Sequence, residues 1–245
     1  MSARPVAIVT GAARGIGRAT AERLGAAGFA LALLDVGEID YAPETPHLPL
    51  RCDLAEIAGH GALVARVTAE LGAVDCLVNN AGIGAPVRGD LLDLAPDNFD
   101  RVLGVNLRGT MFLTQAVARR MLADPPRHPR SIVTVTSVSA AMVSPERLDY
   151  CISKAGLAMF VQGLALRLAP HGIGVYDVRP GIIRTDMTAG VAARYDAMIA
   201  DGLVPARRWG EAAEVAAVIA QLASGGAYAT GSVINVDGGL SIPRL

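Results

Sequence analysis

Tyr150-Cys151-Ile152-Ser153-Lys154 sets a phenol and an ammonium four residues apart, a spacing that brings both to one face of a helix. A phenol with its ordinary pKa of about 10 is a poor acid or base near neutrality, and a fixed cation beside it favours the phenolate. Lysine suits that task, because its compact ammonium fits close beside a phenol, whereas a planar guanidinium is bulkier and differently directed. The choice stands out against the composition: of 22 basic residues, 21 are arginine and one, Lys154, is lysine. The pair reads as a proton-transfer device, with Tyr150 as a buried aromatic the plainer alternative.

A second device lies near the start of the chain. Thr10-Gly11-Ala12-Ala13-Arg14-Gly15-Ile16-Gly17 follows an apolar run and leads into an amphipathic stretch. Gly11, Gly15 and Gly17 permit a tight turn and close backbone approach to a pyrophosphate, whose charge the free amides of a helix N-terminus favour. Such turns also occur as plain structure, so support has to come from elsewhere. It comes from Asp35, 24 residues past Gly11 at the end of the next apolar run. In a dinucleotide fold that carboxylate accepts from the adenosine ribose hydroxyls and repels a 2′-phosphate, which points to NAD(H) over NADP(H).

These groups need a scaffold, and the apolar pattern supplies one. Runs at 6–10, 30–35, 47–52, 75–79, 131–137, 174–179 and 232–236 are apolar nearly throughout, as suits strands buried on both faces of a parallel sheet. Between them Ile16, Ala19, Leu24 and Ala27, then Val64, Val67 and Leu71, then Leu157, Val161, Leu164 and Leu168 recur at helical spacing. Strand-helix-strand alternation predicts an α/β doubly wound domain with helices on both faces. Pro43, Pro46 and Pro49 leave no room for a crossover helix in 36–49, where a loop or single turn is expected. The proline cluster in 124–130 reads as a surface connection. With no repeat and no linker, one domain over 1–245 is the expectation.

Composition excludes other classes. The 245 residues are 52% hydrophobic, with 22 basic against 23 acidic side chains, so disorder is excluded. The same balance lacks the basic excess that nucleic acid or an anionic membrane surface would favour. No run approaches about 18 consecutive apolar residues, and no signal-peptide layout precedes the first strand. A soluble, cytoplasmic protein is expected. Cys52, Cys76 and Cys151 are odd in number without CxxC spacing and read as buried thiols. His47, His60, His128 and His171 are scattered, and no metal site is expected.

Taken together the motifs resemble the short-chain dehydrogenase/reductase family over essentially the whole chain. The resemblance is carried by 10–17, Asn79-Asn80-Ala81-Gly82, Asn106, Ser137 thirteen residues before Tyr150, the Tyr150/Lys154 pair and Pro180-Gly181. It implies a single Rossmann-type domain with a seven-stranded parallel sheet in the order 3-2-1-4-5-6-7. It also implies hydride transfer between a nicotinamide and a secondary alcohol or ketone, in 3-oxoacyl-carrier-protein reductases and in sugar or polyol dehydrogenases alike. On the same basis Tyr150 is the general acid or base, Ser137 binds the substrate oxygen, and Lys154 holds the nicotinamide ribose and depresses the phenol's pKa. Asn106, within a long fourth helix, would retain a water linking Lys154 to solvent. Cofactor residues carried over are Gly11, Arg14, Gly15, Ile16, Gly17, Asp35, Asp53, Leu54, Asn80, Ala81, Gly82, Tyr150, Lys154, Pro180, Gly181, Ile183 and Thr185. Asp53 would accept from the adenine amine, while Asn80 serves either the ribose side or the joining of adjacent strands. Arg14 binds a 2′-phosphate in NADP-using relatives and leaves NADP open. Beside Asp35 it is expected to pair with that carboxylate or to face solvent.

The substrate side is less legible. Ser139, Met142, Val143, Glu146 and Arg147 flank the candidate acid, with Arg147 either a surface charge or the receiver of an anionic group. Residues 186–209, with Gly190 and Gly202 as hinges, stand in the place of the family's mobile substrate loop, and Trp209 reads as that loop's packing anchor. A homotetramer is expected through the fourth helix (Leu107, Met111, Val117, Met121), the Tyr150 helix (Leu157, Phe160, Leu164) and the C-terminal region. A dinucleotide-binding regulatory or scaffold protein without turnover is the alternative from another class. An epimerase or dehydratase of the family's extended branch is disfavoured by length and by the glycine spacing.

Overall fold

The structure is a computed structural model that describes residues 4–244. Seven strands form one parallel sheet in the order β3-β2-β1-β4-β5-β6-β9. They are β1 (Val6–Thr10), β2 (Ala30–Asp35), β3 (His47–Arg51), β4 (Val74–Asn79), β5 (Arg130–Val135), β6 (Ile173–Pro180) and β9 (Val233–Val236). The order is the expected one, because two-residue strands β7 (Ile183–Arg184) and β8 (Gly210–Glu211) pair only with each other. β3 lies at the sheet edge, where Pro49 removes no hydrogen bond that a central strand would need.

Two apolar cores result from the alternation of side chains along the strands. Val6, Ile8, Ala32, Leu77, Ile132 and Val175 point to one face, where α2 (His60–Leu71), α4 (Thr110–Ala123) and α5 (Leu148–Leu168) pack on them. Ala7, Val9, Leu31, Leu33, Val78, Val133 and Val178 point to the other, under α1 (Gly15–Ala26) and α8 (Ala212–Ala223). Cys52, Cys76 and Cys151 are buried thiols, and burial pushes the first two up to about 11 and about 12.

No helix forms in 36–46, as the prolines require. The segment is nevertheless pinned: the Tyr41 hydroxyl donates to the Ala12 carbonyl at 2.9 Å and the ring stacks on Arg18 at 4.5 Å. Thr45 donates to the Phe29 carbonyl at 2.8 Å.

Two expectations about helices need correction. Asn106 is not inside one continuous fourth helix: α3 (Pro96–Leu103) passes into a π-helical turn, Gly104–Gly109, before α4 begins. Such turns carry an extra residue and recur at functional sites. A Cβ on Gly109 would lie 2.4 Å from the Leu54 carbonyl oxygen, so the turn depends on glycine there. Val117, Met121 and Leu157 face the sheet rather than a partner, each no more than 1% exposed. The exposed apolar side chains of α4 and α5 are instead Phe112, Leu122, Ile152, Met159 and Leu166. α5 is also long and apolar enough, by composition alone, to cross a bilayer. It packs on the sheet as a core helix and carries Tyr150 and Lys154 among its buried residues.

The segment 186–209 folds as α6 (Asp186–Ala189), α7 (Ala192–Ala200) and a turn back to β8. Trp209 anchors it as expected, donating to Asp196 at 2.6 Å, meeting Tyr195 edge-on at 5.7 Å and packing with Ile199 and Val204.

Candidate active site

The glycine turn, Asp35, Asn80 to Gly82, Ser137 and Pro180-Gly181 lie at the carboxyl ends of strands, where ligands of open α/β sheets bind. β1 ends in the glycine turn, whose Gly11 and Gly15 adopt φ of 65° and 54°, conformations that a Cβ disfavours. At Gly17 a Cβ would sit 1.9 Å from the Gly11 carbonyl oxygen. α1 starts without a side-chain cap and without an acidic residue in its first turn, leaving its amides to a ligand. This cradle fits a dinucleotide pyrophosphate. Ile16 is half-buried within it against the α1/α8 core.

Asp35 stands beside the cradle and also braces it. One carboxylate oxygen accepts from the Ala13 amide at 2.9 Å and the other from the Gly37 amide at 2.9 Å. Arg14 does not pair with Asp35. Its guanidinium points outward and approaches Asp186 at 3.8 Å, with both side chains largely exposed. Arg51 is the register partner of Asp35 on β3, a neighbouring cation that the sequence reading missed.

Just past β4 the Asn80 side chain chooses the structural alternative. Its amide donates to the Thr10 and Gly11 carbonyls at 2.9 and 3.2 Å, while the Asn80 and Ala81 amides donate to the Thr10 hydroxyl. Asp53 accepts from the Ala55 amide at 2.9 Å and remains exposed, whereas Leu54 is buried beneath the π-helical turn. Gly181 is held by the Val236 carbonyl, and a Cβ there would lie 2.8 Å from the Asp237 Cα. Pro180 closes β6, Ile183 is buried, and Thr185 caps α6 in a capping box with Thr188.

The candidate catalytic groups converge in one buried space. Ser137, Tyr150, Lys154 and Asn106 are each no more than 8% exposed. Ser137 lies two residues past β5, where its hydroxyl accepts from the Ser139 amide at 3.0 Å and begins a short turn. Lys154 donates from Nζ to the Val135 carbonyl at 3.0 Å, and a Cβ on Gly82 would come within 3.6 Å of that Nζ. The Asn106 amide pairs with the Ile83 backbone in both directions, at 2.8 and 2.9 Å, and also donates to Ser153. Its side chain therefore fixes the loop after β4.

Burial and neighbouring charges act on both groups of the pair. Burial raises the Tyr150 pKa, and the groups that pull it back are the Arg147 guanidinium first and then a hydrogen bond with Ser137. Burial also lowers Lys154, to about 8, against the attraction of Asp177.

A family model described as enoyl-(acyl carrier protein) reductase matches residues 11–241. The 3-oxoacyl-(acyl-carrier-protein) reductase FabG of Escherichia coli is 38% identical over 242 residues, covering 96% of each chain. A crystal structure of a 3-oxoacyl-(acyl-carrier protein) reductase from Brucella melitensis in complex with NAD is 58% identical, with a TM-score of 0.96 over 99% of both chains. The aldohexose dehydrogenase of Thermoplasma acidophilum is 30% identical, with a TM-score of 0.89 over 99% of this chain and 96% of its own. With its sheet order, its glycine cradle and these likenesses, the chain belongs to the short-chain dehydrogenase/reductase family and is an NAD(P)-dependent oxidoreductase.

Proposed function

We propose that this enzyme moves a hydride between NAD(H) and a secondary alcohol or ketone, with Tyr150 exchanging the proton. The observation that carries the reading is the burial of Tyr150, Ser137 and Lys154 together at the carboxyl end of the sheet beside the glycine cradle. A bound nicotinamide supplies the hydride chemistry. Tyr150 gives a proton to the carbonyl oxygen in reduction and takes it from the alcohol in oxidation. Ser137 donates its hydroxyl hydrogen to the same oxygen, where negative charge develops. Lys154 donates to the nicotinamide ribose, and Asn106 holds the floor of the site in place through Ile83 and Ser153. Gly11, Gly15 and Gly17 receive the pyrophosphate, Asp35 the adenosine ribose and Asp53 the adenine. The substrate is a 3-oxoacyl thioester or a sugar-like polyol, and the compartment is the cytoplasm.

A panel of carbonyls and alcohols, read at the nicotinamide absorbance with both cofactors, tests the reading. Turnover of at least one member is expected. Tight cofactor binding with no turnover anywhere on the panel would instead favour the silent regulatory protein.

The assembly is proposed to be a homotetramer, joined through α4, α5 and the C-terminal region. It is supported by the exposed apolar side chains Phe112, Ile152, Met159 and Leu166 on α4 and α5. Light scattering should give about four times the chain mass of 25.3 kDa at micromolar concentration. A monodisperse monomer there would refute the assignment.

A further inference from the structure

Arg147 stands three residues before Tyr150, in a short turn, Pro145–Arg147, that leads into α5. Its backbone, at φ −152° and ψ 52°, departs from the helical conformation just before α5. The guanidinium carbon lies 4.9 Å from the centre of the Tyr150 ring, nearer than the Lys154 ammonium at 5.7 Å. Two hydroxyls hold it there: Nε donates to Ser144 at 3.0 Å and a terminal nitrogen donates to Ser139 at 3.4 Å. Among the described residues no carboxylate comes within ion-pair distance of it. Its neighbour Glu146 is already taken by Arg194 at 2.6 Å.

We propose that Arg147 is a positioning residue for proton transfer: its guanidinium, fixed over the phenol by Ser139 and Ser144, favours the phenolate and so sets the pH at which Tyr150 exchanges its proton. A cation over an aromatic face is attracted to the ring even when the ring is neutral, and more strongly when the phenol is ionised. The other groups about Tyr150 are accounted for. Ser137 hydrogen-bonds the phenol, the Cys151 thiol opposes ionisation, and the Asp149 carboxylate accepts from the Tyr150 amide at 2.7 Å. The Lys154 ammonium is turned to the Val135 carbonyl. Arg147 is thus the positive group with the closest unneutralised approach to the ring. The inference rests on Tyr150 being the acid and base.

The experiment compares wild type, Arg147→Gln and Arg147→Lys in two ways. One is the pH profile of kcat/KM for an alcohol that the panel identifies, in the oxidative direction with saturating NAD. The other is ultraviolet titration of the Tyr150 phenolate, isolated by subtracting each protein's Tyr150→Phe counterpart. With glutamine, the acidic limb of the profile and the phenolate midpoint should both rise by about one pH unit, a tenfold weaker acid. Lysine, which keeps the charge, should restore at least half of that shift, and thermal melts should agree across the three proteins. Unmoved limb and midpoint in Arg147→Gln would overturn the inference, as would a rise in substrate KM alone, which is the mark of an anion receiver. Equal shifts for glutamine and lysine would also overturn it, because charge would then not be the cause. Turnover surviving in Tyr150→Phe would instead sink the underlying reading, whatever the phenolate does.

Discussion

Lys154→Arg should lower kcat by well over tenfold while the chain stays folded. The positive charge is retained, but the space is not: Nζ is buried, bonded to the Val135 carbonyl and walled by Gly82 and the π-helical turn that carries Asn106. A guanidinium is planar and larger, and it cannot serve both that carbonyl and a ribose from the same place. Overpacking of this kind costs about 1–3 kcal/mol of stability, so a modest fall in Tm is expected alongside the loss of turnover. Retention of more than about a tenth of wild-type kcat, a barrier change below about 1.4 kcal/mol, would remove lysine from the mechanism. Lys154→Met provides a second arm in the cofactor-free protein. Burial lowers the lysine from its ordinary 10.5 to about 8, so between those values the unfolded chain binds more protons than the folded one. Stability contributed by this group is complete above pH 10.5 and is lost as pH falls to about 8. The full span is on the order of 3 kcal/mol. The methionine variant should therefore gain on wild type as pH falls through that window; parallel stability curves would show that Lys154 is not held in an apolar pocket.

What the sequence revealed and what it withheld follow from how each feature is encoded. Strands buried on both faces have to be apolar throughout, so β1, β2, β4, β5 and β6 were legible as runs, and the glycine turn was legible because its φ values and close approaches admit little else. Periodicity marks an apolar face without saying what covers it. Val117, Met121 and Leu157 therefore looked like partner surface when they belong to the sheet. The π-helical turn was hidden for a related reason: one extra residue per turn barely disturbs an apolar pattern, although it decides where Asn106 points. Ion pairs were the least legible. Arg14 could have met Asp35 and meets Asp186, because the turn carries its side chain away from β2 and toward α6. Arg147 was visible as a charge, and its position over Tyr150 depends on a non-helical backbone just before α5 that no composition signals.

NAD(H) should be favoured over NADP(H) by at least about tenfold in kcat/KM, equivalent to about 1.4 kcal/mol, and Asp35→Ala should collapse that ratio mainly by improving NADP(H) use. A 2′-phosphate brings nearly two negative charges toward a carboxylate that is already fixed by the Ala13 and Gly37 amides and so cannot swing aside. Desolvated like-charge contacts of this sort cost several kcal/mol. The opposing cations are weaker than proximity in sequence suggests. Arg14 is exposed and drawn to Asp186, and an exposed pair is worth at most about 1 kcal/mol. Arg51, in register with Asp35 and also exposed, offers a second screened attraction of the same order. Because Asp35 also braces the glycine turn, alanine should weaken both cofactors somewhat, and the ratio rather than either constant is the proper readout. Asp35→Asn separates the two effects: it keeps an acceptor for one of the amides, removes the charge, and should collapse the ratio with a smaller loss of NAD(H) affinity. A wild-type preference for NADP(H) would mean that Arg14 and Arg51 together outweigh the carboxylate. A ratio unchanged in both variants would mean that the discrimination lies elsewhere than at the end of β2.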